Sequence, residues 1–196
     1  MTSQAKSSHV GCGLSIVDIL TVLYSSLVNV ELIKEQSPLR DYVILSKGHA
    51  AAALYATLAE VGIIDKELLK SYYKNGSLLA GHPLKGLPGV EASTGSLGHG
   101  LSLAVGLALA AHRDNRSQRH YVIVGDGECQ EGAIWEAVMM AARFSLDSLT
   151  LIVDYNNLQG LDATNDIMIG SLEKKFEAFD WATLNVNGHD HDALKQ

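Results

Sequence analysis

Two short polar turns, each following an apolar run, hold the residues of this chain best suited to chemistry: Gly125-Asp126-Gly127 and Asn156-Asn157. A carboxylate at Asp126, an amide oxygen at Asn156 and a nearby backbone carbonyl would form a partial oxygen shell. Such a shell suits Mg2+ or Ca2+, with the remaining positions left to water or phosphate. Gly125 and Gly127 let the backbone turn sharply beside the carboxylate. A helix starting near Glu131 would add free N–H groups and the positive end of its dipole, which favour an anion. Together these features suit a diphosphate held through a metal. Either turn alone is more often an ordinary loop, so the weight rests on the pairing.

For the two turns to meet, the residues between them must form one βαβ unit. Tyr121 to Val124 is a short apolar run, Ile134 to Phe144 repeats apolar residues at helical spacing, and Leu149 to Val153 is a second β-rich run. Strands joined by a helix are expected to lie parallel with a right-handed crossover. Both then end on one sheet edge, and Asp126 converges with Asn156 across 30 positions. Asp41 to Leu45 reads as a further core strand with Ser46-Lys47-Gly48-His49 as its exit, before an alanine-rich helix from Ala50 to Ala59. That places His49 at the strand's carboxyl end, the edge where open α/β sheets bind ligands.

The other elements surround that edge. Leu14 to Val28 reads as an apolar helix, and the segment Ser7 to Gly13 before it puts His9 in a loop at a helix start. Lys66 to Lys74 is a short amphipathic helix, and residues 75 to 98 form a long loop with six of the 18 glycines and two of the three prolines. Loops of that length are usually functional or disordered. His99 to Ala111 is a small-residue helix suited to a core or an interface. Ser171 to Phe179 reads as a helix, Trp181 to Val186 as a strand, and Asn187 to Asp190 as a turn into a last helix. His112, His120, His189 and His191 are expected on the surface, and Met139-Met140 in the core. The expected fold is α/β, a mostly parallel sheet with helices on both faces, in one domain over residues 1–196.

Composition narrows the function. A chain of 196 residues with 47% hydrophobic content can bury a single large core. The formal net charge of -7 and pI near 5.5 argue against a nucleic-acid or anionic-membrane binder. Cys12 and Cys129 give neither a disulfide framework nor a zinc pair, which fits a reducing cytoplasm. The first twelve residues do not read as a signal peptide, and no apolar run is expected to approach the roughly 18 residues that span a bilayer.

The pairing of turns also carries a resemblance. GDG after one apolar strand, then 28 residues, then NN after another resembles the thiamine diphosphate motif. Other phosphate motifs fit badly: no GxxxxGK occurs, and Gln130 replaces the third glycine of a GxGxxG series starting at Gly125. GDGECQEG followed by IWEA is similar to the transketolase family. So are SSHVG at Ser7 to Gly11, SKGHA at Ser46 to Ala50, GHP at Gly81 to Pro83 and TGSLGHG at Thr94 to Gly100, all in the family's order.

The resemblance implies thiamine diphosphate with Mg2+ or Ca2+, and transfer of a two-carbon ketol unit from a ketose to an aldose. It implies that His9 and His82 face the sugar and that His49 contacts diphosphate and substrate. Gly95 and Leu97 would offer backbone to the aminopyrimidine and thiazolium regions, and Gly127 would join Asp126 and Asn156 at the cofactor. The Leu158 carbonyl would be a third metal ligand beside Asp126 and Asn156, and Glu131 would join a hydrogen-bond network at a subunit contact. The family also needs a second domain whose glutamate activates the aminopyrimidine, and nothing here matches it. A separate C-terminal chain is therefore expected, as in split transketolases, in a homo- or hetero-oligomer whose N-terminal halves begin before Met1 and continue past Gln196. The rivals are a half of another thiamine-dependent synthase or dehydrogenase, and a non-catalytic cofactor-binding or assembly subunit.

Overall fold

Three parallel strands carry the architecture: β1 (Tyr42–Leu45), β2 (His120–Gly125) and β3 (Leu149–Asp154), in the order β1-β2-β3. The register sets Leu45 beside Ile123 and Gly125 beside Asp154, so all three strands run out along one edge. The computed structural model describes residues 1–168 and 170–196.

Side chains alternate across the sheet and build two cores. Val43, Leu45, Tyr121 and Ile123 face one side. There they meet Ile19 and Leu20 of α2 (Val17–Val22) and Leu54, Tyr55 and Leu58 of α3 (Ala51–Glu60). Ile44, Val122 and Val124 face the other side, under α4 (His99–Arg113) and α5 (Gly132–Arg143). The expected α/β fold with helices on both faces is the fold observed.

Three expectations change. The apolar stretch after His9 is broken into α1 (Val10–Leu14), α2 and a π-type turn, Leu23–Leu27. Its 18 residues, Val10–Leu27, have a mean hydropathy of 1.7, which by length and composition would suffice to cross a membrane, contrary to the sequence reading. Here the stretch serves as a core element, with Ile16, Leu20 and Leu23 fully buried. Met139 and Met140 are not core residues. Ile134, Ala137, Val138 and Ala141 form the buried stripe of α5, at the i, i+3, i+4, i+7 spacing, and leave both methionines nearly half exposed.

The third change concerns the chain end. Trp181 to Val186 follows α6 (Leu172–Glu177) but forms no strand. The Trp181 indole donates to the Val138 carbonyl (3.1 Å) on the α5 face, while His189 and His191 meet Asp18 of α2 at 2.8 and 2.7 Å. Anchored to opposite faces, the segment passes from one to the other and makes no ladder with β3 among the described residues. His189 and His191 are exposed as expected.

His120 is the histidine that the sequence misplaces. It opens β2, is fully buried, stacks on Tyr42 at 5.3 Å between ring centroids, and leaves both ring nitrogens unpaired among the described residues. Burial holds its pKa below the ordinary value, against a smaller opposing pull from Asp41. The unfolded chain thus binds a proton that the folded chain refuses, so stability falls as the pH drops below about 6.5. His120→Leu should flatten that acid loss and add on the order of 1 kcal/mol at neutral pH, because two unmatched polar atoms leave the core. Urea unfolding of both proteins at neutral and mildly acid pH checks this; equal pH dependence would refute it.

Candidate active site

At the shared edge the two turns lie side by side. The Asp126 N–H donates to the Asp154 carbonyl (3.3 Å), tying the end of β2 to the end of β3. The Asp126 carboxylate is buried; Oδ1 accepts from the Gly127 N–H (2.9 Å) and Oδ2 from the Thr164 hydroxyl. Thr164 returns to the site because residues 157–164 fold into a small hairpin. Its Gln159 N–H donates to the Asp162 carbonyl (2.9 Å) and its Thr164 N–H to the Asn157 carbonyl (3.1 Å). Leu158, between them, directs its own groups outward. Its N–H donates to Asn156 Oδ1 (3.0 Å), and its carbonyl accepts no hydrogen bond among the described residues.

This donor set fits a hard divalent cation, because the carboxylate, amide oxygen and main-chain carbonyl are all oxygens at one strand edge. The turn also fits a diphosphate. A Cβ at Gly125 would meet nothing within 4 Å, and the Gln159 side chain reaches over Gly127 with its Nε2 buried and unpaired.

The helix after the turn starts where expected, with Glu131 as its N-cap. A four-residue 3-10 turn, Gly127–Gln130, intervenes before α5 begins at Gly132. Glu128 accounts for it. Its side chain turns inward and is 2% exposed, accepting from Ser46 Oγ (2.5 Å), the Gly98 N–H (2.9 Å) and the Gly125 N–H (3.2 Å). One carboxylate thus joins the exit of β1, the loop before α4 and the end of β2.

A second buried group lies on the opposite face. Lys47, 2% exposed, pairs with Asp154 at 2.5 Å, and the Ser15 hydroxyl donates to the same carboxylate at 2.7 Å. Sequence reasoning took Glu128 as spacer and Lys47 as part of a strand exit. The signal in the sequence was an ionisable residue directly at a strand end beside glycines, where water is already scarce.

The three motif histidines come together. His9 caps α1 with φ of 66°, and its ring lies 5.3 Å from that of His49. His49 sits in a 3-10 turn, Gly48–Ala50, after β1. His82 is held where Tyr55 donates to its carbonyl (3.1 Å) and where Gly95, at φ of 144°, passes under its ring; a Cβ there would stand 3.0 Å away. The Thr94 hydroxyl bonds the Leu45 carbonyl (2.6 Å), and a Cβ on Gly48 would come within 2.9 Å of the Gly95 nitrogen. The long loop is therefore pinned over the strand ends, with Leu97 partly exposed beside it. Glu131 caps α5 and is exposed, and its carboxylate makes no hydrogen bond among the described residues.

Burial and its charged neighbours keep His49 neutral. Burial pushes the His49 pKa down to about 4, helped by the Lys47 ammonium and by His9 and His82, with only Asp154 opposing. His49 at neutral pH can then donate from one nitrogen and accept at the other.

Comparison with known proteins agrees with this geometry. Residues 1–196 match the family described as transketolase, thiamine diphosphate binding domain. The chain belongs to that family. It is 42% identical over 192 residues to one of the subunits of the apulose-4-phosphate transketolase of Phocaeicola vulgatus, covering 97% of this chain and 68% of that protein. It is also 42% identical over 188 residues to the 6-deoxy-6-sulfo-D-fructose transketolase subunit SqwG of a Clostridium species, covering 95% and 68%. Among solved structures, the transketolase of Campylobacter jejuni superposes with a TM-score of 0.77 at 27% identity, over 94% of this chain and 33% of that one. The chain thus spans about two thirds of those two relatives and a third of the solved transketolase.

Two measurements check the site. NMR titration of the His49 ring should give a midpoint near 4, and a midpoint at the ordinary histidine value would show an open, solvated ring. Glu128→Ala should cost about 3 kcal/mol of unfolding free energy, because three donors lose a buried charged acceptor. A loss below about 1 kcal/mol, the size of one ordinary hydrogen bond, would mean that the carboxylate is not the tie between these segments.

Proposed function

We propose that this chain is the cofactor-binding half of a two-chain transketolase, moving a two-carbon ketol unit from a ketose to an aldose. What supports the reading is the meeting at one sheet edge of Asp126, Asn156 and His49, with His9 and His82 beside them, in a member of the transketolase family. Relatives named as transketolase subunits favour it over the rival synthase, dehydrogenase and assembly-subunit readings.

Thiamine diphosphate, when bound, supplies the nucleophilic carbon that accepts the ketol unit. The protein's part is position and charge. Asp126, Asn156 and the Leu158 carbonyl would hold Mg2+, or Ca2+ in its place, and Gly127 would let the backbone approach the diphosphate. Gly95 and Leu97 would present backbone to the rings of the cofactor. His49 would hydrogen-bond both diphosphate and substrate in its neutral form. His9 and His82 would bind the hydroxyls of a sugar or sugar phosphate. Glu131 would meet a neighbouring chain, and a C-terminal transketolase half would bring the glutamate that activates the aminopyrimidine. An oligomer with two copies of each chain, working in the cytoplasm without membrane or nucleic acid, completes the proposal.

Three experiments test it. The chain alone should not transfer ketol units between sugar phosphates, and a matched C-terminal half should restore transfer; robust turnover by the purified chain alone would overturn the two-chain reading. Asp126→Ala should weaken thiamine diphosphate binding in Mg2+ by about 2 to 5 kcal/mol, as when one of a buried charged pair is removed. Unchanged affinity in calorimetry would sink the metal assignment. His82→Ala should lower turnover and leave cofactor affinity near the wild-type value.

A further inference from the structure

The Lys47–Asp154 pair has no evident need to be ionic for folding. Both groups are buried on the face of α2 and α3, reaching toward each other across the end of β2 from the two outer strands. Apolar residues of similar volume usually serve as well in such a place, since desolvation offsets most of the attraction. What an apolar pair could not do is hold the next polar group along the chain. The Asn156 amide nitrogen faces Asp154 Oδ2 at 3.4 Å and Ser15 Oγ at 3.5 Å, while its oxygen faces the Leu158 N–H. Nitrogen inward and oxygen outward is the only amide orientation that matches donors to acceptors on both sides. Without the carboxylate, the amide nitrogen loses its charged acceptor, and only the Leu158 N–H is left to select the oxygen end.

We propose that Lys47 and Ser15 are positioning residues for the metal: they fix the Asp154 carboxylate, which holds the Asn156 amide with its oxygen turned toward the cation. Lys47 supplies the charge that keeps a carboxylate in place in a dry site, and Ser15 occupies the other carboxylate oxygen. Groups behind a metal ligand typically change metal affinity by about 10- to 100-fold when removed. The inference rests on Asn156 being a metal ligand, as proposed above.

The test separates positioning from folding. Mn2+ replaces Mg2+, and free Mn2+ is followed by EPR as it is titrated into the chain with thiamine diphosphate present. Lys47→Met/Asp154→Leu, an apolar replacement of the pair, should melt close to the wild-type temperature yet bind Mn2+ about 10- to 100-fold more weakly. Equal Mn2+ affinity in the two proteins would overturn the inference and leave the proposed function standing. Should the double variant not fold, Ser15→Ala decides. It keeps both charges and should bind Mn2+ several-fold more weakly, whereas wild-type affinity would overturn the positioning role. A wild-type chain that takes up no Mn2+ with the cofactor would overturn the metal site and this inference together.

Discussion

Parallel strands joined by helices all deliver their carboxyl ends to one edge, and that constraint organises the polar groups of the candidate site. The edge is where three backbones stop pairing with each other, so carbonyls and N–H groups lose their ladder partners there. Polar side chains must collect at it. Glu128 bonds Ser46, Gly98 and Gly125 on the α4 and α5 face, and Lys47 with Asp154 and Ser15 does the same on the α2 and α3 face. Between these two buried clusters lie the GDG turn and Asn156.

The two clusters solve the same problem with different chemistry. Glu128 is satisfied by a hydroxyl and two backbone N–H groups, so its charge is matched by dipoles alone. Asp154 is matched by a full positive charge, and that charge has a second effect within the same turn. It lies close enough to His49 to help depress that ring's pKa, after burial itself. The sheet edge thus presents a neutral imidazole at His49 rather than a second cation.

Strain and close approach follow from the same edge. Gly95 takes φ of 144° because the His82 ring lies against the position of its missing Cβ, and Gly98 takes φ of 87° where a Cβ would stand 2.8 Å from Glu131. The loop from residue 75 can pass over the strand ends only because these positions carry no side chain. Its irregular backbone is fixed by a few bonds to buried atoms, notably Thr94 to the Leu45 carbonyl and Gly98 to Glu128.

Local pattern was enough for the strands, for α3, α4 and α5, and for the meeting of Asp126 with the residues after β3, because periodicity and crossover geometry depend on nearby residues alone. The order of the motifs was likewise enough for the family. Pattern failed where distant segments decide the outcome. Trp181 to Val186 alternates like a strand, but two anchors on opposite faces draw it off the sheet. Met139 and Met140 are apolar, yet the phase of the α5 stripe turns them outward. His120 reads as a surface residue, and only its pairing with β1 and β3 buries it. Glu128, Lys47 and Ser15 are ordinary polar letters until folding brings Gly98, Asp154 and Asn156 against them. The sequence by itself determined the α/β class, the family and which residues are candidates for holding a diphosphate and metal. Which charges are buried, and which amide end faces outward, was decided by tertiary structure, since desolvation and hydrogen-bond matching exist only between groups that the fold has already brought together.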